Sequence, residues 1–137
     1  MQSPKEVIMV RPASFGYDPE TAESNVFQNK PSNDEETEFQ MMALSEFDVA
    51  VSALQSNGVK VTVFNEDGSD NVKKPDSIFP NNWFSTHSNG MIILYPMMAK
   101  SRRLEKRFDI VNYLQNKFEV IIRKNRNYNE LVNNENY

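Results

Sequence analysis

Blocks of apolar residues separated by polar segments predict a series of strands and helices along the first half of the chain. The apolar run Val7–Val10 stops at Arg11-Pro12, which is typical of a short buried strand ended by proline. The polar, turn-rich segment 13–33 that follows has the length of a functional loop. Apolar residues then recur at three- and four-residue steps and predict an amphipathic helix that ends at Asn57-Gly58: Phe39, Met42, Ala43, Phe47, Ala50, Val51 and Leu54.

The second half of the chain shows a hairpin pattern followed by another helix and strand. Ile78–Thr86 and Met91–Tyr95 are extended runs joined at Asn89-Gly90, a dipeptide typical of tight hairpins. A second helix is expected to begin with Ser101 as its N-cap, and Val120–Ile122 to form a buried strand. The expected apolar stripe of this helix is Leu104, Phe108, Val111, Leu114 and Phe118.

A weak internal repeat indicates a modular α/β architecture. The alternating valines Val59, Val61 and Val63 predict a half-buried strand after the first helix, as Val120–Ile122 does after the second, and Leu-Gln occurs late in both helices. We interpret residues 1–137 as a single partial domain, with a first module over 1–70, a second over 71–125, and a connector to a further module beginning at 126–137. So few modules would leave strand edges unpaired, which favours self-association through these open edges.

Composition narrows the classes of function. The 137 residues are 39% hydrophobic with a net charge of -4, which fits a globular domain and argues against a nucleic-acid partner. No apolar stretch approaches the about 20 residues that cross a membrane, and no secretion signal is present, so we expect a cytoplasmic protein. With no cysteine and one histidine, no metal site or cofactor is predicted. Ser85 and His87 leave a serine–histidine arrangement formally open, although no nucleophile-elbow pattern surrounds them.

Three segments carry a resemblance to one group of enzymes. They are Arg11–Gly16 with Asn25–Gln28, then Pro75–Ser85 with its Phe-Pro-Asn-Asn-Trp run, then Leu94–Ala99 followed by Ser101–Glu105. Their order and spacing resemble the amidinotransferase or pentein superfamily, most closely its citrulline-utilisation hydrolases. The Ser-Arg-Arg-x-Glu element is similar to that of dimethylarginine dimethylaminohydrolases. The resemblance covers nearly the whole chain.

The resemblance implies a fold and a reaction. The fold is a five-bladed α/β propeller around a polar pocket, so this chain would be an incomplete pentein α/β-propeller with roughly the first two ββαβ-type modules. The reaction is hydrolysis at the ureido or guanidino carbon of a citrulline- or arginine-type small molecule, by a cysteine thiolate helped by a histidine. Neither group has a counterpart in this chain, so we expect no catalytic residue here, no cofactor, and no activity of the chain alone.

Carried over by position, the resemblance implies a set of substrate-binding residues. Asp76 matches an acidic residue at the pocket entrance, and Arg102 matches the arginine that pairs with the substrate carboxylate. Asn81-Asn82 stand where dimethylarginine enzymes have Glu-Asp, and amides suit a neutral ureido group at least as well as a cation, which favours citrulline. Asn25 and Gln28 are candidate pocket-lining residues.

Each of these residues also has a purely structural interpretation. Asp76 could cap a turn, Asn81-Asn82 could form a β-bulge, and Arg102 could be a solvated surface residue. We expect Trp83 in the core and His87 on the surface at the hairpin end.

Three hypotheses for the whole chain remain at this stage. It is part of a hydrolase, a non-catalytic module that binds a partner or assembles with copies of itself, or the remnant of a broken gene. The hydrolase hypothesis requires Asp76, Asn82 and Arg102 to share one concave polar wall.

Overall fold

The computed structural model describes residues 4–22, 30, 32–66, 72–118 and 121–124. The chain divides into two compact units, Met1–Phe79 and Pro80–Tyr137, which we call unit 1 and unit 2. Each unit combines strands with helices, so the α/β class is confirmed. The propeller and the module boundaries stay predictions. Within the described ranges no helix is long and apolar enough to cross a membrane.

Unit 1 is a strand–helix–strand arrangement. Its elements are β1 (Glu6–Arg11), the short α1 (Pro19–Ala22), α2 (Asn33–Ser56) and β2 (Lys60–Asn65). Strands β1 and β2 pair in parallel, with Glu6 opposite Lys60 and Arg11 opposite Asn65. Parallel strands need a crossover, and α2 supplies it. The predicted strands and the main helix of this half are confirmed.

The ends of α2 follow from local sequence. At its start, Glu35 Oε2 accepts hydrogen bonds from the Ser32 N–H at 2.8 Å and the Ser32 hydroxyl at 2.6 Å, in the Ser-x-x-Glu spacing of a capping box. At its end, Gly58 has a φ of 80°, and its N–H donates to the Gln55 carbonyl at 3.0 Å. The predicted stop at Asn57-Gly58 is confirmed.

The apolar stripe of α2 is only partly covered. Over 35–56, where its side chains are described, Phe47 alone is buried, while Phe39 is 43% exposed and Met42 51% exposed. The stripe lines an open depression of about 390 Å³ beside β1. Its walls are Met9, Phe15, Phe39, Met42, Ala43, Glu46, Phe47, Ala50 and Ile78.

Unit 2 adds a hairpin before its crossover. A 3-10 turn (Pro80–Asn82) leads into β3 (Phe84–Thr86) and β4 (Met91–Leu94), followed by α3 (Lys100–Arg103), α4 (Phe108–Lys117) and β5 (Ile121–Lys124). The sheet order is β3-β4-β5, with β3 antiparallel and β5 parallel to β4. The expected Asn89-Gly90 hairpin is confirmed, with Gly90 at a φ of 77°. The buried side chains of unit 2 include Trp83, Ile92, Ile110 and Leu114.

The extended run expected over Ile78–Thr86 is wrong in its first part. Residues 75–78 form turns, and the Phe79 N–H donates to the Asp76 carbonyl at 3.0 Å. The β-bulge interpretation of Asn81-Asn82 is wrong as well, because both residues lie in the 3-10 turn. Proline explains the difference, since Pro80 has a fixed φ and no N–H to give to a ladder.

The expected second helix is two helices. The N-caps are Ala99 for α3 and Arg107 for α4, so the assignment of Ser101 as N-cap is wrong. Helix α3 ends at its C-cap Leu104 and α4 begins at Phe108, so the side chains of α4 do not continue the stripe of α3. As a result Phe108 is 76% exposed, and the buried side of α4 carries Ile110, Val111 and Leu114.

Candidate functional site

Arg102 in α3 is held by a buried carboxylate. Its Nε lies 3.0 Å from Glu105 Oε1 and 2.9 Å from Oε2, and its Nη2 lies 2.9 Å from Oε2. The Arg102 side chain is 13% exposed and that of Glu105 1%. A carboxylate buried to this degree requires a paired cation. The interpretation of Arg102 as a solvated surface residue is therefore wrong.

Asn82 shares the Arg102 guanidinium with Glu105. Arg102 Nη2 donates to Asn82 Oδ1 at 3.0 Å. Because arginine has only donors, this bond turns the amide so that its Nδ2 donors lie on the side away from the guanidinium. Asn82 and its neighbour Asn81 are both exposed. Two of the predicted site residues, Arg102 and Asn82, are thus brought together within unit 2.

Arg103 has a structural role that differs from that of Arg102. Its Nε donates to the Met97 carbonyl at 2.8 Å and its Nη2 to the Met98 carbonyl at 3.2 Å, which fixes the backbone just before α3. Burial lowers the pKa of nearby Lys106, and the Arg103 charge lowers it further. The charges of Arg103 and Lys106 therefore lie near one another in the segment that carries Arg102, whose own charge is paired with Glu105.

Asp76 is a buried carboxylate in a turn of unit 1. It is 8% exposed, and the Thr21 hydroxyl lies 3.3 Å from its Oδ2 and 3.3 Å from the Asp18 carbonyl oxygen. Asp18 is itself 1% exposed, and its Oδ1 accepts the Glu20 N–H at 2.9 Å. These contacts fix α1 against the Asp76 turn, and the role of Asp76 in binding stays a prediction.

Glu66, whose side chain is 5% exposed, also supports the Asp76 turn. Glu66 Oε2 accepts hydrogen bonds from the Ser77 hydroxyl at 2.7 Å and from the Ala13 N–H at 3.3 Å, and its Oε1 lies 3.7 Å from Lys74 Nζ. Glu66 was not among the residues singled out from the sequence. The only signal there is an acidic residue at the end of a strand, which is too common to identify a site.

The remaining sequence predictions about the site stay open. Asn25 and Gln28 lie outside the described residues, as does the connector 126–137. Asp76 belongs to unit 1 while Asn82 and Arg102 belong to unit 2, so the shared wall stays a prediction. Within the ranges that the structure describes, no three His, Cys, Asp or Glu side chains are placed to hold a metal ion.

Comparison with protein families gives a match over most of the chain. Residues 11–137 match the model of a protein family described as N,N dimethylarginine dimethylhydrolase, eukaryotic. The matched range includes Asp76, the Asn81-Asn82 pair and the Arg102 segment. No curated protein and no solved structure matches the chain.

Proposed function

The chain belongs to the eukaryotic N,N dimethylarginine dimethylhydrolase family, and we propose that Arg102 and Asn82 form the carboxylate-binding part of a pocket for an arginine-derived small molecule. The observation that carries the proposal is the 3.0 Å hydrogen bond from Arg102 Nη2 to Asn82 Oδ1. It joins two side chains that are far apart in the sequence and that the family resemblance links to substrate binding. Glu105 already binds Nε and Nη2 of Arg102, so a substrate carboxylate would meet the guanidinium beside that pair, through charge-assisted hydrogen bonds.

The donor character of this surface supports a citrulline-type substrate over arginine. Asn82 Oδ1 is occupied by Arg102, so the amide offers its Nδ2 N–H groups to a ligand. These donors match a ureido oxygen or a carboxylate, whereas a guanidinium cation needs acceptors. The assignment of the nitrogen end of the substrate to Asp76 rests on the family resemblance alone. Within unit 2, Asn81 lies next to Asn82 in the sequence and is a further candidate amide contact.

The hydrolytic step itself needs groups from outside this sequence. Attack on the ureido or guanidino carbon proceeds through a thiolate in the related enzymes, and the chain has no cysteine. We therefore assign to this chain substrate binding within an incomplete α/β propeller. The order β3-β4-α3-α4-β5 of unit 2, in which two helices stand between the last two strands, supports a module of the ββαβ type. The chain alone is expected to release neither ammonia nor ornithine from citrulline.

A titration followed by NMR tests the binding proposal. Citrulline, arginine and propylurea, which lacks the carboxylate, are added in turn to ¹⁵N-labelled protein while the side-chain signals of Asn82 and Arg102 Nε are observed. Citrulline is expected to shift both signals more than arginine does, and propylurea to leave the Arg102 signal in place.

Two variants make the test specific. Arg102→Gln should abolish the citrulline shifts, whereas Arg107→Gln, which removes a cation from the same segment, should keep them. Shifts that survive in Arg102→Gln would place the ligand elsewhere and refute the assignment. Asn82→Asp replaces the donors by a carboxylate and should reverse the preference, so that arginine becomes the better ligand.

An alternative function, self-association, is favoured by the open depression of unit 1. This surface exposes Phe39 and Met42 around a volume of about 390 Å³, and exposed apolar patches often mark interaction sites. Light scattering after size exclusion should then show a mass that rises with concentration, and Met42→Glu should restore the monomer. A monomer at every concentration would exclude this alternative.

A further inference from the structure

We propose that Ser85, His87 and Tyr95 form a nucleophilic site that hydrolyses small activated carboxylic esters. Ser85 Oγ lies 2.9 Å from His87 Nε2 and 2.8 Å from the Tyr95 hydroxyl oxygen. A nucleophile within hydrogen-bond reach of an imidazole base is the arrangement that activates serine in hydrolases.

The hairpin geometry brings these three side chains together. Ser85 and His87 are two residues apart, so both project from the same side of the β3 strand direction. The backbone pairing continues beyond β3, since the His87 N–H donates to the Met91 carbonyl at 2.9 Å. The Tyr95 N–H donates to the Trp83 carbonyl at 2.8 Å, which makes Tyr95 the diagonal cross-strand neighbour of Ser85.

The site is open to a small molecule and is backed by a packed core. Ser85 and Tyr95 are half-buried and His87 is exposed. On the other side of the same strands, Phe84, Ile92 and Leu94 are buried. These buried residues hold the two strands in place, so the side chains of Ser85, His87 and Tyr95 keep their relative positions even though they face solvent.

The reactive arrangement assigns one proton to each hydrogen bond. With His87 neutral and protonated at Nδ1, its Nε2 accepts the Ser85 hydroxyl proton. The Tyr95 hydroxyl then donates to Ser85 Oγ, which retains an acceptor lone pair. In this state the serine oxygen is polarised toward attack while the tyrosine proton already lies beside the reacting centre.

The reaction follows from these positions. Ser85 Oγ forms a bond to the ester carbonyl carbon as its proton moves to His87 Nε2, and the Tyr95 O–H turns to the carbonyl oxygen that becomes anionic. The bond to the leaving alkoxide or phenoxide breaks, and the leaving oxygen takes the proton from Nε2. Water then attacks the acyl carbon as one of its protons passes to His87 Nε2. The bond between that carbon and Ser85 Oγ breaks, Oγ takes the proton back from Nε2, and the carboxylic acid is released.

The test uses p-nitrophenyl acetate with the full chain. Release of p-nitrophenol is followed by absorbance, and the acetylated residue is located by peptide mass spectrometry. Acetylation of Ser85 is expected, together with its absence in Ser85→Ala. His87→Gln should lower the rate of Ser85 acetylation by about 10²-fold. Tyr95→Phe should lower it by a smaller factor, because one oxyanion donor is lost.

Matched controls separate this activity from general surface reactivity. Ser88→Ala removes an exposed hydroxyl from the same hairpin and should leave the rate unchanged. Unchanged Trp83 fluorescence in each variant shows that unit 2 remains folded. Acetylation confined to lysines, or Ser85 acetylation that proceeds equally fast in His87→Gln, would overturn the proposal.

Discussion

Units 1 and 2 use the same parallel strand–helix–strand connection but are stabilised in different ways. In unit 2 the ten-residue helix α4 carries three buried residues, Ile110, Val111 and Leu114, and accompanies a three-stranded sheet. In unit 1 the 24-residue helix α2 accompanies a two-stranded sheet, and of its described side chains only Phe47 is buried. Length of helix and depth of packing are therefore not related in this molecule.

In unit 1, hydrogen bonds and ion pairs connect segments that are distant in the sequence, whereas unit 2 is stabilised mainly by buried apolar side chains. Arg11 binds Asp48 with two hydrogen bonds of 2.9 Å, which joins β1 to α2. Gln40 accepts the Phe15 N–H and donates to the Pro12 carbonyl, which ties α2 to the loop after β1. Glu66 joins the same loop to the Asp76 turn. The Glu66 side chain is 5% exposed, so its contacts form the buried part of this network, whereas the Arg11–Asp48 pair lies at the surface and contributes less.

The largest effect is expected from opening the core of unit 2. Ile110 is fully buried, so Ile110→Ala should lower the free energy of unfolding by about 4 kcal/mol through lost burial and a residual cavity. Trp83 is the single tryptophan and is 2% exposed, so its fluorescence during urea unfolding reports on unit 2 specifically.

The control for that experiment lies on the same helix. Phe108 is 76% exposed, and Phe108→Ala should change the free energy of unfolding by less than about 0.5 kcal/mol. Equal losses for the two variants would contradict the division of α4 into a buried and an exposed side.

A smaller loss is expected from breaking the Glu66 network of unit 1. Glu66→Ala removes the acceptor of the Ser77 hydroxyl and Ala13 N–H and the partner of Lys74, which should cost about 2 kcal/mol. Faster hydrogen exchange of the β1 and β2 amides would record it. Glu36 pairs with the neighbouring Lys73 in solvent, with side-chain exposures of 46% and 77%, so Glu36→Ala should change exchange little. Similar effects of both substitutions would show that the burial of Glu66 does not increase its contribution to the stability of unit 1.

The same contrast explains how much of the fold the sequence could predict. Strands β1, β2, β4 and β5 and helix α2 follow from local periodicity and from signals such as Asn57-Gly58 and Asn89-Gly90, all contained in short windows. The break between α3 and α4 was missed. It lets Glu105 form a buried ion pair with Arg102, and such a pair leaves no periodic pattern in the sequence. Once the break shifts the helical phase, the stripe through Phe108 points to solvent.

The candidate site shows the same limit. The motifs identified Arg102 and Asn82, but their hydrogen bond joins residues 20 positions apart in the sequence. It also depends on the 3-10 turn at Pro80–Asn82, where the sequence predicted an extended strand. Glu66 was missed since its partner Ala13 is 53 residues away. Residues whose role rests on distant contacts become visible only when the chain is folded.

The smallest effect is expected from acid titration of two arginine-paired carboxylates, one in each unit. The hydrogen bonds from Arg11 hold the pKa of Asp48 below its ordinary value, although burial opposes the shift. Arg107 likewise lowers the pKa of Asp109 through its side-chain hydrogen bonds. A lowered pKa in the folded state means that the charged carboxylate favours folding. That contribution is present above the ordinary carboxyl pKa and is lost as the pH falls through the lowered value.

The two pairs should nevertheless differ in their effect on stability. Arg11 and Asp48 are 37 residues apart and meet only when β1 and α2 pack, whereas Arg107 and Asp109 are two residues apart and can meet in the unfolded chain. Asp48→Asn should therefore remove part of the acid-dependent rise in hydrogen exchange of unit 1, and Asp109→Asn should alter unit 2 less. The carboxyl pKa values are measured by ¹³C NMR in the folded chain and in urea. An Asp48 pKa that is equal in the folded and unfolded states would mean that its ion pair with Arg11 does not help to hold β1 against α2. The Arg11–Asp48 pair would then have to be removed from the polar contacts that stabilise unit 1.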